Sequence, residues 1–387
     1  MTRRERFKQY MTRVAAAADP ALTIEQKLYV HPPSAISDVI VRHLEIEPTS
    51  RHLVVGSIGS GKTTQLLVAA QELNSLPDIR AVYVDVSRKQ DLVKLKPGCL
   101  VALAGLALLE GQPLATSDER RWFTKWANGY WLHPEEYGEP DDDGVQVEGV
   151  VTPPRPEWHE ISAMQVERLA RFAEIEREAG RHFVVLFDSL DRTTNRSAFT
   201  QLIDQDVSAL RRCNIGVVLI GPIRSLEGFG RLEVDRFDKL HVQGAVDVEQ
   251  DPGGRDFLFR VLRARVEASM LPDREVLALV AASGGVLRDL ISLAKAAGDE
   301  AYLSGSEIIE MSHVQAAADA FGRSLMIGLH QPEIDTLKHL RSSGGFVWTT
   351  DDDLALLATR RVLEYPRRNP PFSVHPTIVP LLDQKAG

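Results

Sequence analysis

The stretch Gly56-Ser57-Ile58-Gly59-Ser60-Gly61-Lys62-Thr63 constrains this chain more than any other. Glycine, four residues and then Gly-Lys-Thr follow the apolar run His52-Leu53-Val54-Val55 directly, and a helix-patterned segment runs on from Lys62 to Leu73. With ordinary residue frequencies about 0.01 such matches arise by chance in a chain of this length. A strand, a glycine-rich turn and a helix in that order make a phosphate cradle. Glycine lets the backbone turn so that successive N–H groups point at phosphate oxygens, and the helix N-terminus adds its positive end. The expected nucleotide-binding residues are therefore Gly56, Ser57, Ile58, Gly59, Ser60, Gly61, Lys62, Thr63 and Thr64. Lys62 is expected to neutralise the β- and γ-phosphates of ATP. The Thr63 hydroxyl is the expected ligand of Mg2+, a hard cation that takes oxygen donors.

Four further β-branched runs predict the rest of a sheet: AVYVDV (81–86), FVVLFD (183–188), GVVLIG (216–221) and KLHVQG (239–244). Strands that alternate with helix-patterned spans predict a three-layer α/β sandwich around a parallel sheet, because parallel strands need helical crossovers. FVVLFD ends in Asp188, which a buried strand can hold beside the Thr63 hydroxyl, where it binds Mg2+ through a coordinated water. Many ATPases of this type place Glu next to orient the attacking water. Here that residue is Ser189, and Asp191 is the nearest acidic substitute.

The expected domain order is an N-terminal helix (1–28), a P-loop core (29–250) with an insertion at about 88–180, a helical lid (251–328) and a winged helix (329–387). Residues 1–28 read as one amphipathic helix, a packing arm with Phe7, Tyr10, Met11 and Val14 on one face. Helical stretches are expected at Leu92–Leu109 and Ile161–Glu178. The text between them holds Trp122, Trp126, Trp131, Trp158 and the acidic run 135–150, which reads as a solvated loop rather than an EF-hand calcium site. After about 252 the text is helical. The tail then runs from a helix through LLATRRVLEY, PRRNPP and FSV to a last helix near Pro376–Leu382.

Composition removes several classes of function. Lys plus Arg number 45 against 54 Asp plus Glu, so a net charge of −9 is the wrong sign for coating nucleic acid with the whole surface. Cys99 and Cys213 are the only cysteines, which supports neither a disulfide framework nor a cysteine zinc site and fits a reducing cytoplasm. The longest apolar run, Cys99–Leu109, is well short of the ~20 residues that cross a bilayer, so no membrane partner is expected. The N-terminus MTRRERFKQY has no apolar stretch of the secretory kind. HExxH and GxSxG patterns are absent, which argues against zinc-protease and serine-hydrolase chemistry.

The text FDSLDR (187–192) resembles the Walker B segment of STAND-type signalling ATPases, relatives of NACHT and AAA+ proteins, with a small residue after the Asp and an acidic one two positions later. Arg192 departs from the acidic residue often found next. Tyr29-Val30-His31-Pro32 is similar to the segment that packs on adenine in these families and in replication-initiator AAA+ proteins, which implies that Val30 touches the base. Asp235-Arg236-Phe237 resembles the arginine-finger pair of initiator-type AAA+ proteins, with Arg231 as a rival to Arg236. Ser283-Gly284-Gly285-Val286-Leu287-Arg288-Asp289-Leu290 resembles the sensor 2 helix start, which implies that Arg288 reaches the γ-phosphate. Gly221-Pro222 replaces the polar sensor 1 residue and leaves Arg224 or Ser225 as candidates, so hydrolysis is expected to be slow.

The resemblance implies an ATP-hydrolysing regulatory switch with Lys62, Asp188, Asp191 and Arg236 as catalytic residues and ATP/ADP and Mg2+ bound. Such a switch works through a homo-oligomer or a separate effector protein. Two alternatives stand beside it: a DNA-binding AAA+ ATPase of initiator or transposition type, and a nucleotide-bound pseudo-ATPase scaffold. Arg360, Arg361, Arg367 and Arg368 offer duplex DNA a phosphate-binding surface in 360–368, or else serve a protein contact, which the net charge favours. His375 reads as a structural residue.

Overall fold

The computed structural model describes residues 1–16, 19–93, 95–110, 123, 126, 161, 163–193, 195–226 and 234–383. The chain divides into two compact units, one of Ser37–Val55 and Leu66–His241, the other of Met1–Ile36, Gly56–Gln65 and Val242–Gly387.

The first unit is built on strands β1 (Arg51–Val55), β2 (Ile79–Asp85), β3 (His182–Asp188), β4 (Gly216–Ile220) and β5 (Lys239–Val242). They lie in the order β2-β3-β4-β1-β5, and the β2–β3, β3–β4 and β4–β1 pairs are parallel. β1 and β4 are buried at every residue and β3 at all but its first, as strands covered on both faces must be. Helix Cys99–Glu110 packs on β2 and on helix Ala163–Glu178, which in turn packs on β3. Cys99–Glu110 is apolar all round and buried at every residue except Leu106 and Glu110, the condition of a helix enclosed in a core.

This helix begins at Cys99, not at Leu92 as the apolar spacing predicted. Pro97 cannot continue a helix and Gly98 sits at φ 93°, so the chain is still turning there. The helix start is fixed by a residue far along the chain. Asp206 accepts hydrogen bonds from the backbone N–H groups of Gly98, Leu100 and Val101 at 2.7, 2.8 and 3.0 Å. The tryptophans Trp122, Trp131 and Trp158, the acidic run 135–150 and Arg231 lie outside the described residues.

The second unit is mainly helical. The single N-terminal helix expected over 1–28 is instead two, Arg3–Ala16 and Pro20–Glu25. Asp19 caps the second by accepting from the Ala21 and Leu22 N–H groups, and Pro20 fills its first turn, which starts a new helix. Helix Arg3–Ala16 buries Phe7, Tyr10 and Val14 against Phe257, Leu258 and Leu262 of helix Pro252–Arg263 and Leu290, Leu293, Ala294 and Ala297 of helix Leu287–Leu303. The Tyr10 hydroxyl donates to the Ala294 carbonyl at 2.6 Å. Arg3 donates to the Ala301, Tyr302 and Ser306 carbonyls and so closes the end of Leu287–Leu303. Helices Asp273–Ala282 and Met311–Met326 complete the cluster.

The C-terminal segment runs from helix Gln331–Ser343 through helix Asp351–Ala358, the antiparallel pair β6 (Val362–Glu364) and β7 (Phe372–Val374), and the short helix Val379–Leu382. Thr350 and Asp353 form a reciprocal capping box at the start of the second helix. The chain is thus an α/β domain on a five-stranded sheet with a glycine-rich loop after β1, followed in sequence by a helical region.

Candidate functional site

The phosphate loop leaves the end of β1 and closes into helix Lys62–Leu73. Gly56 must be glycine for space, because a Cβ there would stand 2.1 Å from the Gln243 carbonyl oxygen. Gly59 must be glycine for two reasons. It has φ 85°, and a Cβ would meet the Arg288 Cβ at 2.6 Å. Lys62 is buried, and its ammonium donates to the Gly56 and Ser57 carbonyls, both at 2.9 Å. Ser60 Oγ donates to the Ser57 carbonyl at 3.0 Å. Thr63 and Thr64 are half-buried in the first turn of the helix, and Ile58 is exposed. A loop stripped of side-chain bulk around a buried cation at a helix N-terminus fits a polyphosphate.

The predicted sensor helix meets this loop through its backbone. Arg288 N–H donates to the Gly59 carbonyl at 3.3 Å, and the aliphatic stem of Arg288 lies against Gly59. Arg360, at φ 66°, donates to the Ile58 carbonyl at 3.4 Å and to Asp289 Oδ2 at 2.9 Å. Asp289 is buried, and the equally buried His375 places Nε2 3.5 Å from the same oxygen. Val30 packs on the helical cluster, and Gln65 donates to the Tyr29 hydroxyl at 3.3 Å.

The acidic group belongs to the α/β unit. Asp188 ends β3, is 3% exposed, and accepts from the Tyr83 hydroxyl at 2.7 Å and from the Ser189 N–H at 2.6 Å. Directly across the sheet, in register with it, Asp85 ends β2. Asp85 Oδ1 accepts from Ser189 Oγ at 2.8 Å, Ser87 Oγ at 2.7 Å and Ser87 N–H at 3.0 Å, and Oδ2 lies 3.3 Å from Arg88 Nε. Burial alone would raise the Asp85 carboxyl, but the hydrogen bonds from Ser87 and Ser189 and the Arg88 guanidinium hold it below the ordinary carboxylate value. Burial, with the Asp188 charge beside it, drives the Tyr83 phenol far up, so that it stays a donor. Asp191 is half-buried on the 3-10 turn Leu190–Arg192.

Tyr83 and Asp85 were not among the expected site residues. A signal for Asp85 was present, since AVYVDV carries an Asp at the end of an apolar run just as FVVLFD does. Thr63 belongs to the helical unit and Asp188 to the α/β unit, and each carries an oxygen donor of the kind that Mg2+ takes. Among the described residues no group of three or more His, Cys, Asp or Glu side chains is arranged to hold a metal.

Arg236 is about half exposed and pairs at 3.1 Å with Asp204, itself half exposed. Arg224 donates to the Thr193 carbonyl, and Ser225 is buried. The four tail arginines all have partners inside their unit. Besides Arg360, Arg361 holds the Leu325 and Ile327 carbonyls, Arg367 the Ser34 hydroxyl, and Arg368 the Glu249 carboxylate at 2.8 Å. No described helix is long and apolar enough to cross a membrane.

No protein-family model matches the chain, and no curated protein does. Similar solved structures include Cdc6p from Pyrobaculum aerophilum, at 15% identity over 84% of this chain and 79% of that one, with a TM-score of 0.43. The Aeropyrum pernix ORC2 protein shares 13% identity over 92% and 95%, with a TM-score of 0.48. The Thermotoga maritima RuvB Holliday junction branch migration motor shares 14% identity over 91% and 93%, with a TM-score of 0.43.

Proposed function

We propose that this chain is an AAA+-type ATPase that binds ATP or ADP with Mg2+, hydrolyses ATP slowly, and passes its nucleotide state to the helical region as a regulatory switch. The observation that carries this reading is the direct bonding of the phosphate loop to the start of helix Leu287–Leu303 through Gly59 and Arg288. A phosphate entering the loop acts on the same backbone that holds the helix.

In the reaction, water attacks the γ-phosphorus and the bond to the ADP oxygen breaks. The loop amides and Lys62 grip the phosphate oxygens, and Arg288 approaches from the helical region. Thr63 and Asp188 are the residues that would hold Mg2+, which would supply charge neutralisation at the phosphates. A carboxylate beyond β3 orients the water, and in sequence Asp191 is the nearest. Arg236 is donated to a neighbouring copy in an assembly and would exchange Asp204 for the transferring phosphoryl group, a contribution that can reach about 10³-fold or more.

Arg288→Ala should keep ATP affinity within about 10-fold while single-turnover hydrolysis falls at least ~10-fold. It should also abolish any difference in assembly mass between the ADP form and the form with a non-hydrolysable ATP analogue. Unchanged hydrolysis and unchanged nucleotide-dependent mass would remove the switch.

A second reading, an ATPase that engages duplex DNA, is supported by the helix, helix, hairpin order of the C-terminal segment, an order compatible with the winged helix expected there. On that reading Arg367 and Arg368 exchange their present partners for phosphates. Duplex binding that weakens with salt and falls in the Arg367→Ala, Arg368→Ala double variant supports it. No binding at low salt assigns the segment to protein contact.

A further inference from the structure

Gly59 is held on both sides by groups from outside the phosphate loop. Its own carbonyl accepts from the Arg288 N–H at 3.3 Å, and the carbonyl before it, that of Ile58, accepts from the Arg360 guanidinium at 3.4 Å. In a trans peptide the C=O and the following N–H point in opposite directions, so a cation on the Ile58 oxygen aims the Gly59 N–H away from Arg360. That N–H takes part in none of the hydrogen bonds among the described residues, whereas the Ser60 N–H is engaged with the Ser57 carbonyl at 3.4 Å. A fixed, unengaged amide at a residue with φ 85° is the donor that an anion-binding loop presents.

Arg360 is held in turn. It comes from the C-terminal segment, 302 residues along the chain from Ile58, and stands at φ 66°, a left-handed conformation that residues with a Cβ rarely adopt. Its Nε donates to Asp289 Oδ2 at 2.9 Å, and the side chains of Asp289 and of His375 beside it are 1% and 0% exposed. His375 Nδ1 is tied to the Thr377 hydroxyl at 2.8 Å, while Asp289 Oδ1 has no hydrogen-bond partner. Although Asp289 lies in the first turn of helix Leu287–Leu303, its carboxylate therefore does not cap that helix. A buried ion pair adds little stability over apolar side chains of the same volume, so packing alone does not account for this one. What it does is hold the guanidinium at one point on the loop. Tyr365, whose hydroxyl donates to the Gly284 carbonyl at 2.8 Å, seats the hairpin just ahead of the same helix. All of these residues belong to the unit that contains Gly56–Gln65.

We propose that Arg360 is a positioning residue of the phosphate cradle: fixed by Asp289, it orients the Ile58–Gly59 peptide so that the Gly59 N–H meets a phosphate oxygen. The guanidinium acts through the loop backbone and touches no phosphate itself. Nucleotide binding and the seating of the C-terminal segment thereby strengthen each other, and such coupling is reciprocal: the factor that the segment adds to nucleotide affinity is the factor that nucleotide adds to the segment's seating. The role rests on the nucleotide-binding reading above.

The test is equilibrium titration of Mg-ADP into the full chain, read beside thermal unfolding and backbone hydrogen exchange. Arg360→Ala should weaken Mg-ADP about 10-fold, the scale of one charge-assisted contact, and Arg360→Lys should recover at least ~2-fold of that loss. Asp289→Asn, which leaves the guanidinium in place but unfixed, should weaken Mg-ADP about 3-fold. Arg3→Ala is the control for a purely structural loss. It removes three hydrogen bonds at the other end of the 17-residue helix Leu287–Leu303, about 25 Å along its axis, and should lower the unfolding midpoint while Mg-ADP affinity stays within about 2-fold. In the wild-type chain Mg-ADP should slow exchange of the Tyr365 and His375 amides, which bond to the Pro371 and Arg361 carbonyls, by at least ~3-fold, and Arg360→Ala should lose that protection. Wild-type affinity in Arg360→Ala, an equal loss in Arg3→Ala, or exchange at those two amides that ignores nucleotide would overturn the role. Each of these leaves nucleotide binding standing, whereas a wild-type chain that binds no Mg-ADP removes the underlying reading together with this one.

Discussion

His52 and His241 share a hydrogen bond, Nδ1 to Nε2, of 2.9 Å, with their rings parallel, and the ring of His43 lies 5.8 Å from that of His52. Burial, followed by the charges of the neighbouring histidines, pushes His52 down to about 3, and burial with the nearby His43 and Lys239 brings His241 to about 4. In the unfolded chain both titrate near 6.5. Below that value the unfolded chain takes up protons that the folded chain refuses, so the stability present above pH 6.5 is lost as the pH falls toward 4. Asp206 acts in the opposite sense. Burial lifts it to about 7, so the folded state binds its proton more tightly and its contribution declines as pH rises from about 4 to 7. The histidine effect is therefore read from a difference in which Asp206 cancels. Between pH 7.5 and 5 the denaturation free energy of wild type should fall by about 1–2 kcal/mol more than that of His52→Asn. Parallel pH profiles for the two proteins would contradict it.

Helix Cys99–Glu110 shows what a sequence can and cannot announce about an element. Its apolar run marks a buried helix, but periodicity cannot see its start. The start is set by Asp206, which lies in the π-helical turn Ile203–Val207 and arrives only with tertiary structure. Replacing Asp206 with Ala strips three buried N–H groups of their acceptor and should cost about 2–4 kcal/mol in urea unfolding, and a loss under about 0.5 kcal/mol would show that the cap is idle. The break between the first two helices, by contrast, was overlooked in the reading of 1–28 as one helix although its signal is local, because Asp19-Pro20 is an N-cap followed by a first-turn proline. Asp85 falls between these cases. Its place at the end of an apolar run could be read, but its register with Asp188 and its bond to Ser189 could not.

At the scale of the whole molecule the phosphate loop was the most legible feature, since its glycines, lysine and flanking elements carry their mechanism locally. The five-stranded core followed from it, because apolar strands interrupted by helices leave few topologies. The grouping of the chain was not legible. Residues Gly56–Gln65 fall in the same unit as the N-terminal helices and the helical region, and helix Arg3–Ala16 completes the core around Leu290 and Ala294. Such associations depend on side chains hundreds of residues apart. The loop's internal bonding gives the central claim a direct test, because the Lys62 ammonium satisfies the carbonyls of Gly56 and Ser57 and, under the proposed function, exchanges them for phosphate oxygens. The measurement is equilibrium titration of Mg-ATP and Mg-ADP into wild type and Lys62→Ala, with thermal unfolding confirming that the variant is folded. Saturable binding by wild type that weakens at least ~100-fold in Lys62→Ala is the expected result, and equal affinity in the two proteins would contradict the account.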